Sequence, residues 1–221
     1  MQPEAVFFDM DFTVLAVDCE LAWKNLLADH GMCAEEDRVL AQHYIELHDI
    51  GKTPRDEYLQ FMLRDFTDRT TVELAPLADR NFEKNIRHKI YLDALRTIAA
   101  YRNLGIPTIL LSGSMRPILE PIAGHLGIDE VICTELEVQA GRFTGRVDGL
   151  YRIQEHKVSG AIDWCRRRGT VPECVAFYGD SMSDIPMFEI VGQPHVVNPN
   201  EPLAAQAAEQ GWQVLRWQLE E

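Results

Sequence analysis

Hydrophobic positions along the chain fall into two kinds of pattern, and their alternation predicts an α/β fold. Short unbroken apolar runs are one kind. Ala5-Val6-Phe7-Phe8 shows no polar alternation, as expected of a parallel strand buried on both faces. Residues 106–111, 130–133, 174–178 and 195–197 are further β-prone runs. Between most of them, apolar residues recur at helical spacing over 92–103, 115–126, 157–168 and 202–210. Asn200 is placed to cap the last of these helices, with Pro202 in its first turn and Gly211 just past its end. Pro121 falls inside a helical pattern and should kink or shorten it. Strand alternating with helix predicts a three-layer, Rossmann-like core around a parallel sheet.

Two stretches break the alternation. Residues 17–88 carry helical patterns only, with Leu21, Trp23, Leu26 and Leu27, then Leu59, Phe61, Met62 and Phe66, as apolar positions. Some 70 residues of helix exceed what a crossover between strands needs. They predict a small all-helical cap domain over 17–88, inserted into a core made of 1–16 and 89–221. The second stretch, residues 134–147, has Leu136, Val138, Phe143 and Val147 arranged around Ala140-Gly141 and predicts a β-hairpin. No internal repeat or low-complexity segment is found.

Composition narrows the function classes. A chain of 221 residues that is 46% hydrophobic suits one core with a smaller accessory domain. The net charge of −14 opposes nucleic acid and anionic membrane as partners. Most of that acid is expected on a solvated surface, with a local cluster able to hold a cation. Five scattered cysteines, with no CxxC pair, read as reduced thiols and not as a zinc site or disulfide framework. No apolar run approaches 18 residues, and the chain opens into a strand without a leader-like segment, so a cytoplasmic protein is expected. His43, His48, Trp212 and Trp217 read as solvated or packing residues. Nothing indicates an oligomeric state.

Four clusters sit at or just past the carboxyl ends of predicted strands, where open α/β sheets bind ligands. Asp9 and Asp11 leave the first strand two residues apart. One carboxylate can attack phosphorus, and a second can protonate a leaving oxygen. Ser112-Gly113-Ser114 offers a hydroxyl and a close backbone approach ahead of a helix N-terminus. Lys157, near the start of a helix, can place a point charge on a phosphate. Asp180 and Asp184, after Gly179, suit a hard cation with oxygen ligands. Taken singly, each has an ordinary structural role: turn cap, helix cap or solvated charge.

Together and in this order, DxDxT, a strand ending in Ser, Lys and GDxxxD resemble the haloacid dehalogenase superfamily. The finer similarity is to its phosphoserine-phosphatase-like branch, subfamily IB, in the helical insertion, in the TELEV…G.FTG.V hairpin and in GDSMSDIPM followed by VVNPNEPL. The resemblance implies a phosphatase with Asp9 as nucleophile and Asp11 as general acid/base. It implies magnesium held by Asp9, the Asp11 carbonyl and Asp180, with Asp184 in support, and phosphoryl oxygens gripped by Ser112, Gly113 and Lys157. The implied substrate is a small phosphorylated metabolite, under a cap that closes over it. Asp18 and Gln60 fall where phosphoserine phosphatases carry a substrate-binding glutamate and arginine, so this chain departs from them there. Gln60 cannot grip a carboxylate as arginine does. Phosphoserine specifically, transfer to an alcohol in place of water, and a catalytically silent phosphate- or metal-binding regulator are the alternatives.

Overall fold

The computed structural model describes residues 2–49 and 52–219. Its centre is a six-stranded, all-parallel sheet in the order β3-β2-β1-β6-β7-β8. The strands are β1 (Val6–Phe8), β2 (Thr108–Met115), β3 (Glu130–Thr134), β6 (Ala176–Gly179), β7 (Gln193–Val197) and β8 (Gln213–Leu215), with the hairpin supplying β4 and β5. Both sheet faces are covered, which is why β1 is apolar throughout. Val6 and Phe8 join one apolar cluster and Ala5 and Phe7 the other, following the two-residue alternation of side chains along a strand. On the second face lie α7 (Glu155–Arg168), α8 (Ile185–Phe188) and α9 (Glu201–Gln210), where Trp164 meets Phe7 edge-on at 5.3 Å. On the first lie α5 (Leu92–Asn103) and α6 (Arg116–Leu126).

Several sequence expectations need correction. β2 does not end at residue 111 but runs on through Ser112, Gly113 and Ser114, with its register against β3 shifting between Leu111 and Met115. α6 passes through Pro121 and ends at Gly127 (φ 64°), so the helix is not shortened. Ile118, Leu119, Ile122 and Leu126 are buried along it, and that stripe outweighs one missing amide bond. The edge strand β8 is unforeseen, because three half-exposed residues carry little apolar signal. Asn200 caps α9 by accepting from the Leu203 amide, as expected.

Between β1 and β2 the chain is helical, with α1 (Cys19–Asp29), α2 (Glu35–Asp49), α3 (Arg55–Leu63) and α4 (Thr71–Asn81), then short turns to Lys89. Thr70 and Glu73 form a reciprocal capping box on α4. Trp23 stacks on Phe66 at 5.7 Å, and Lys24 pairs with Asp65 at 2.8 Å, both buried. The two ends of this segment run side by side: the Ala16 amide donates to the Lys89 carbonyl (2.7 Å) and that of Tyr91 to Val14 (3.0 Å). The hairpin, β4 (Leu136–Gln139) and β5 (Arg142–Val147), turns at Ala140 (φ 49°) and Gly141 (φ 77°), the paired positive dihedrals of a tight hairpin turn. It rests on the helical segment. Asp68 donates its amide to the Phe143 carbonyl and Phe143 donates to that of Arg69, both at 2.9 Å.

Trp217 stacks on Tyr178 and Trp212 packs against Phe188, consistent with packing roles. His43 is exposed near Glu46. The His48 side chain and Gly51 lie outside the described residues. The five cysteines are all free thiols, and no helix among the described residues is long and apolar enough to cross a membrane.

Candidate active site

The site forms where β1, β2 and β6 end side by side. The Asp9 amide donates to the Tyr178 carbonyl (2.9 Å), so Asp9 is still held in the sheet as the chain leaves β1. The chain then turns sharply. Phe12 takes a left-handed φ of 59°, and the amides of Val14 and Leu15 both donate to the Met10 carbonyl. A bulky residue in that region is strained, by about 1–2 kcal/mol. The turn brings Thr13 back under the sheet end, where its Oγ1 donates to Asp180 Oδ1 at 2.9 Å.

One acid of the first pair faces inward and the other sideways. Asp9 Oδ1 accepts from Lys157 Nζ at 2.7 Å, and the same ammonium reaches Asp184 Oδ1 at 3.0 Å. Asp11 Oδ1 accepts from the Cys19 amide at 2.7 Å, and its Oδ2 from Ser114 Oγ at 3.0 Å. Asp11 is thus fixed between the first amide of α1 and the end of β2. Asp184 Oδ2 faces the amides of Asp180 and Ser181, each 3.3 Å away, and Ser181 Oγ. These contacts occupy both Asp184 oxygens, whereas Asp180 Oδ2 takes no hydrogen bond among the described residues.

The electrostatics of this cluster are dominated by crowded carboxyls away from water. Burial pushes the Asp9 carboxyl up to about 6, although Lys157 pulls the other way. Burial, then the charge on Asp9, raises Asp11 to about 6. Asp180 stands well above the ordinary carboxylate range, through burial and the charges of Asp9 and Asp184. Burial alone would lower the Lys157 ammonium, but Asp184 and Asp9 together hold it above the usual lysine value. Four acids against one buried cation leave a net negative cradle. Oxygen atoms of Asp9, Asp180 and Asp184 lie within 4.8 Å of one another. An all-oxygen, net anionic donor set fits a hard divalent cation such as magnesium, and does not suit a soft metal that seeks sulfur.

Of the sequence-predicted residues, Asp9, Asp11, Lys157, Asp180 and Asp184 come together. Ser112 and Gly113 lie on the neighbouring strand; Ser112 is buried, and its Oγ accepts the Ser114 amide at 3.1 Å. Asp18 caps α1 by accepting the Leu21 amide at 2.7 Å. Gln60 is exposed on α3. Thr13 and Ser114 also act on the acids, Thr13 on Asp180 and Ser114 on Asp11, a role the sequence does not announce. The sequence signal for Ser114 was its spacing from Ser112, since residues two apart in a strand share a face. The apolar run ends at Leu111, so the sequence carries no sign that the strand reaches Ser114.

The chain is 28% identical over 215 residues to a histidinol-phosphatase of Neisseria meningitidis, covering 95% of this chain and 97% of that one. It is 28% identical over 220 residues to a phosphoserine phosphatase of Mycobacterium tuberculosis, covering 97% and 71%. Among solved structures, a protein of unknown function from Bordetella pertussis superposes with a TM-score of 0.88 at 28% identity, covering 97% of this chain and 99% of that one. A phosphoserine phosphatase carrying a phospho-aspartyl analogue shares the fold, with a TM-score of 0.70 at 19% identity over 97% and 93% of the two chains. The profile of the haloacid dehalogenase-like hydrolases matches residues 6–189, from β1 to just past Asp184. The chain therefore belongs to the haloacid dehalogenase-like hydrolase family.

Proposed function

We propose that this chain is a magnesium-dependent phosphomonoester hydrolase that works through a phosphorylated Asp9. One observation carries the reading. Asp9 is oriented by Lys157 at 2.7 Å, while Asp11 is held to the side by the Cys19 amide and Ser114. Such a division separates a nucleophile from an acid/base. An Asp9 oxygen attacks phosphorus as the ester P–O bond breaks, and Asp11 gives its proton to the departing alkoxide. Water then attacks phosphorus, Asp11 takes the proton back, and the bond to Asp9 breaks to release phosphate. Burial supports this part, because an Asp11 carboxyl near 6 holds its proton closer to neutrality than an ordinary aspartate does. Lys157, the Ser112 hydroxyl and the Gly113 amide grip the phosphoryl oxygens. A magnesium ion on Asp9, the Asp11 carbonyl and Asp180, with Asp184 behind, would neutralise charge on those oxygens. The helical segment 17–88 acts as a cap over the site.

Relatives called histidinol-phosphatase and phosphoserine phosphatase support a small phosphorylated metabolite as substrate. Phosphoserine itself is the less favoured choice, because Gln60, where phosphoserine phosphatases carry a carboxylate-binding arginine, is exposed and neutral. Aryl phosphate hydrolysis with magnesium tests the proposal. Turnover should vanish with chelator and fall at least about a thousandfold in Asp9→Asn, the scale on which removing a nucleophile acts. Radiolabelled phosphate should be trapped on the wild-type chain and not on the variant. An Asp9→Asn enzyme at the wild-type rate would overturn the assignment.

A further inference from the structure

β3 ends on a buried threonine whose single hydroxyl ties two segments of the site together, and the phosphoryl-transfer scheme does not use it. Thr134 is fully buried. Its Oγ1 donates to the Gly113 carbonyl at 2.5 Å and accepts from the Arg152 amide at 3.1 Å. A hydroxyl has one proton to give, and with the Arg152 amide on one lone pair that proton is committed to Gly113. The need for it arises in the sheet. The register of β2 against β3 shifts between Leu111 and Met115, so the Gly113 carbonyl lies where the regular ladder is interrupted. A main-chain carbonyl shielded from water needs a donor, and here a side chain supplies it.

The consequence reaches Ser112. The Gly113 carbonyl and the Ser114 amide belong to one rigid peptide plane. That amide donates to Ser112 Oγ at 3.1 Å. Ser112 is 1% exposed, and its hydroxyl donates to no group among the described residues. Accepting one bond and giving none, it keeps its proton for a phosphoryl oxygen, in the direction that the Gly113–Ser114 plane dictates. The plane has little room to turn. A Cβ at Gly113 would lie 2.8 Å from Ile153 Cγ2 and 3.5 Å from the Arg152 carbonyl oxygen, so residues 152–153 press directly on Gly113.

We propose that Thr134 is a positioning residue for phosphoryl transfer, which locks the Gly113–Ser114 peptide and thereby aims the Ser112 hydroxyl at the phosphoryl group. The proposal rests on the phosphatase reading above. Thr134→Val keeps the shape of the side chain and removes the hydroxyl. With aryl phosphate and magnesium it should lower kcat/KM by about tenfold to a hundredfold, the scale on which a misplaced donor acts. Competitive inhibition by inorganic phosphate should weaken by about tenfold. Thr134→Ser, which retains the donor, should recover both to within about threefold of the wild type. In a Ser112→Ala background, Thr134→Val should cost no more than about a further threefold, because its route of action is already gone. Equal losses in the two backgrounds overturn the proposal. So does a serine variant no better than the valine one, or a folded Thr134→Val enzyme with wild-type kcat/KM and phosphate inhibition, whatever its Tm. Thr134→Ala removes the hydroxyl without setting a methyl against the Gly113 carbonyl, and answers the same question if the valine variant does not fold. If the wild type turns over no phosphomonoester, the phosphatase reading falls, and calorimetry of inorganic phosphate with the protein in magnesium decides the positioning role. Weaker binding in Thr134→Val, recovered in Thr134→Ser, supports it; equal binding, or none to the wild type, overturns it.

Discussion

Single residues in this molecule carry an unusual load of carboxyl groups withheld from water, and the consequence is readable in its stability. Asp9 and Asp11 stand near 6 in the folded chain against 3.8 ordinarily, and Glu20 near 8 against 4.5. An acid whose folded value exceeds its unfolded value binds protons in the folded state across the window between the two. Folding stability therefore falls as pH rises through that window, here from about 4 to 8. Lys157, held above its usual value, keeps its stabilising charge throughout that range and adds no slope. The direction is set by burial of all three carboxyls, so a fall in stability is expected across that window. With a chelator present, the urea midpoint should drop between pH 5 and pH 8, against the usual trend for a protein of ordinary carboxylates. Magnesium should restore much of the loss due to the Asp cluster, and Glu20→Gln should flatten the slope above pH 6. A chelated protein that is as stable at pH 8 as at pH 5 would contradict this account.

At the scale of elements, the site depends on how tightly β6 and the turn after it are wound. A Cβ built on Gly179 would lie 2.8 Å from Asp184 Oδ2 and 2.8 Å from Phe177 Cε1. Asp184 cannot give way without releasing Lys157 and the amides of Asp180 and Ser181. Gly179→Ala should therefore cost about 1–3 kcal/mol by overpacking. It should also weaken magnesium binding by about tenfold, since a displaced partner of metal ligands costs on that scale; titration calorimetry reads this directly. Unchanged affinity would mean that Asp184 does not govern the metal ligands. The same element shows what was legible in the chain. The apolar run before Gly179 and the acids after it identify a buried strand meeting a polar crevice, and Asp180 and Asp184 follow from that juxtaposition as Asp9 and Asp11 do from the end of β1. Ser114 and β8 do not. The small residues Ser-Gly-Ser at 112–114 carry no apolar signal and lie where the register against β3 shifts, between Leu111 and Met115, and β8 is an edge strand with almost no apolar face. Glu20 was legible only as a nearby acid, because its burial depends on Tyr58, 38 residues away in sequence.

For the whole molecule, the question is how a cap could open when the hairpin is fastened to it. The helical segment and one face of the sheet share a single apolar cluster, which includes Val6, Phe8, Trp23, Leu26 and Phe66. A wide opening would expose that cluster to water at about 25 cal/mol per Å². The hairpin adds a second tie, through the paired main-chain bonds of Phe143 with Asp68 and Arg69 and the Phe66–Phe143 ring contact at 6.2 Å. Any closure over substrate is then expected to be small, with the helical segment and hairpin moving as one body against the sheet. Spin labels can separate this from a cap that swings alone. Val72 on α4, Val138 on the hairpin and Leu104 beside the sheet are all well exposed. Exposed Cys174 would first be changed to Ser so that it takes no label. With beryllofluoride and magnesium as the phosphoryl mimic, labels on Val72→Cys and Val138→Cys should keep their separation, while those on Val72→Cys and Leu104→Cys should shift. A change in the first pair as large as in the second would show the cap moving independently of the hairpin. In that case the main-chain bonds at Phe143 must break in each turnover, and Phe143→Ala should speed product release instead of merely destabilising the fold.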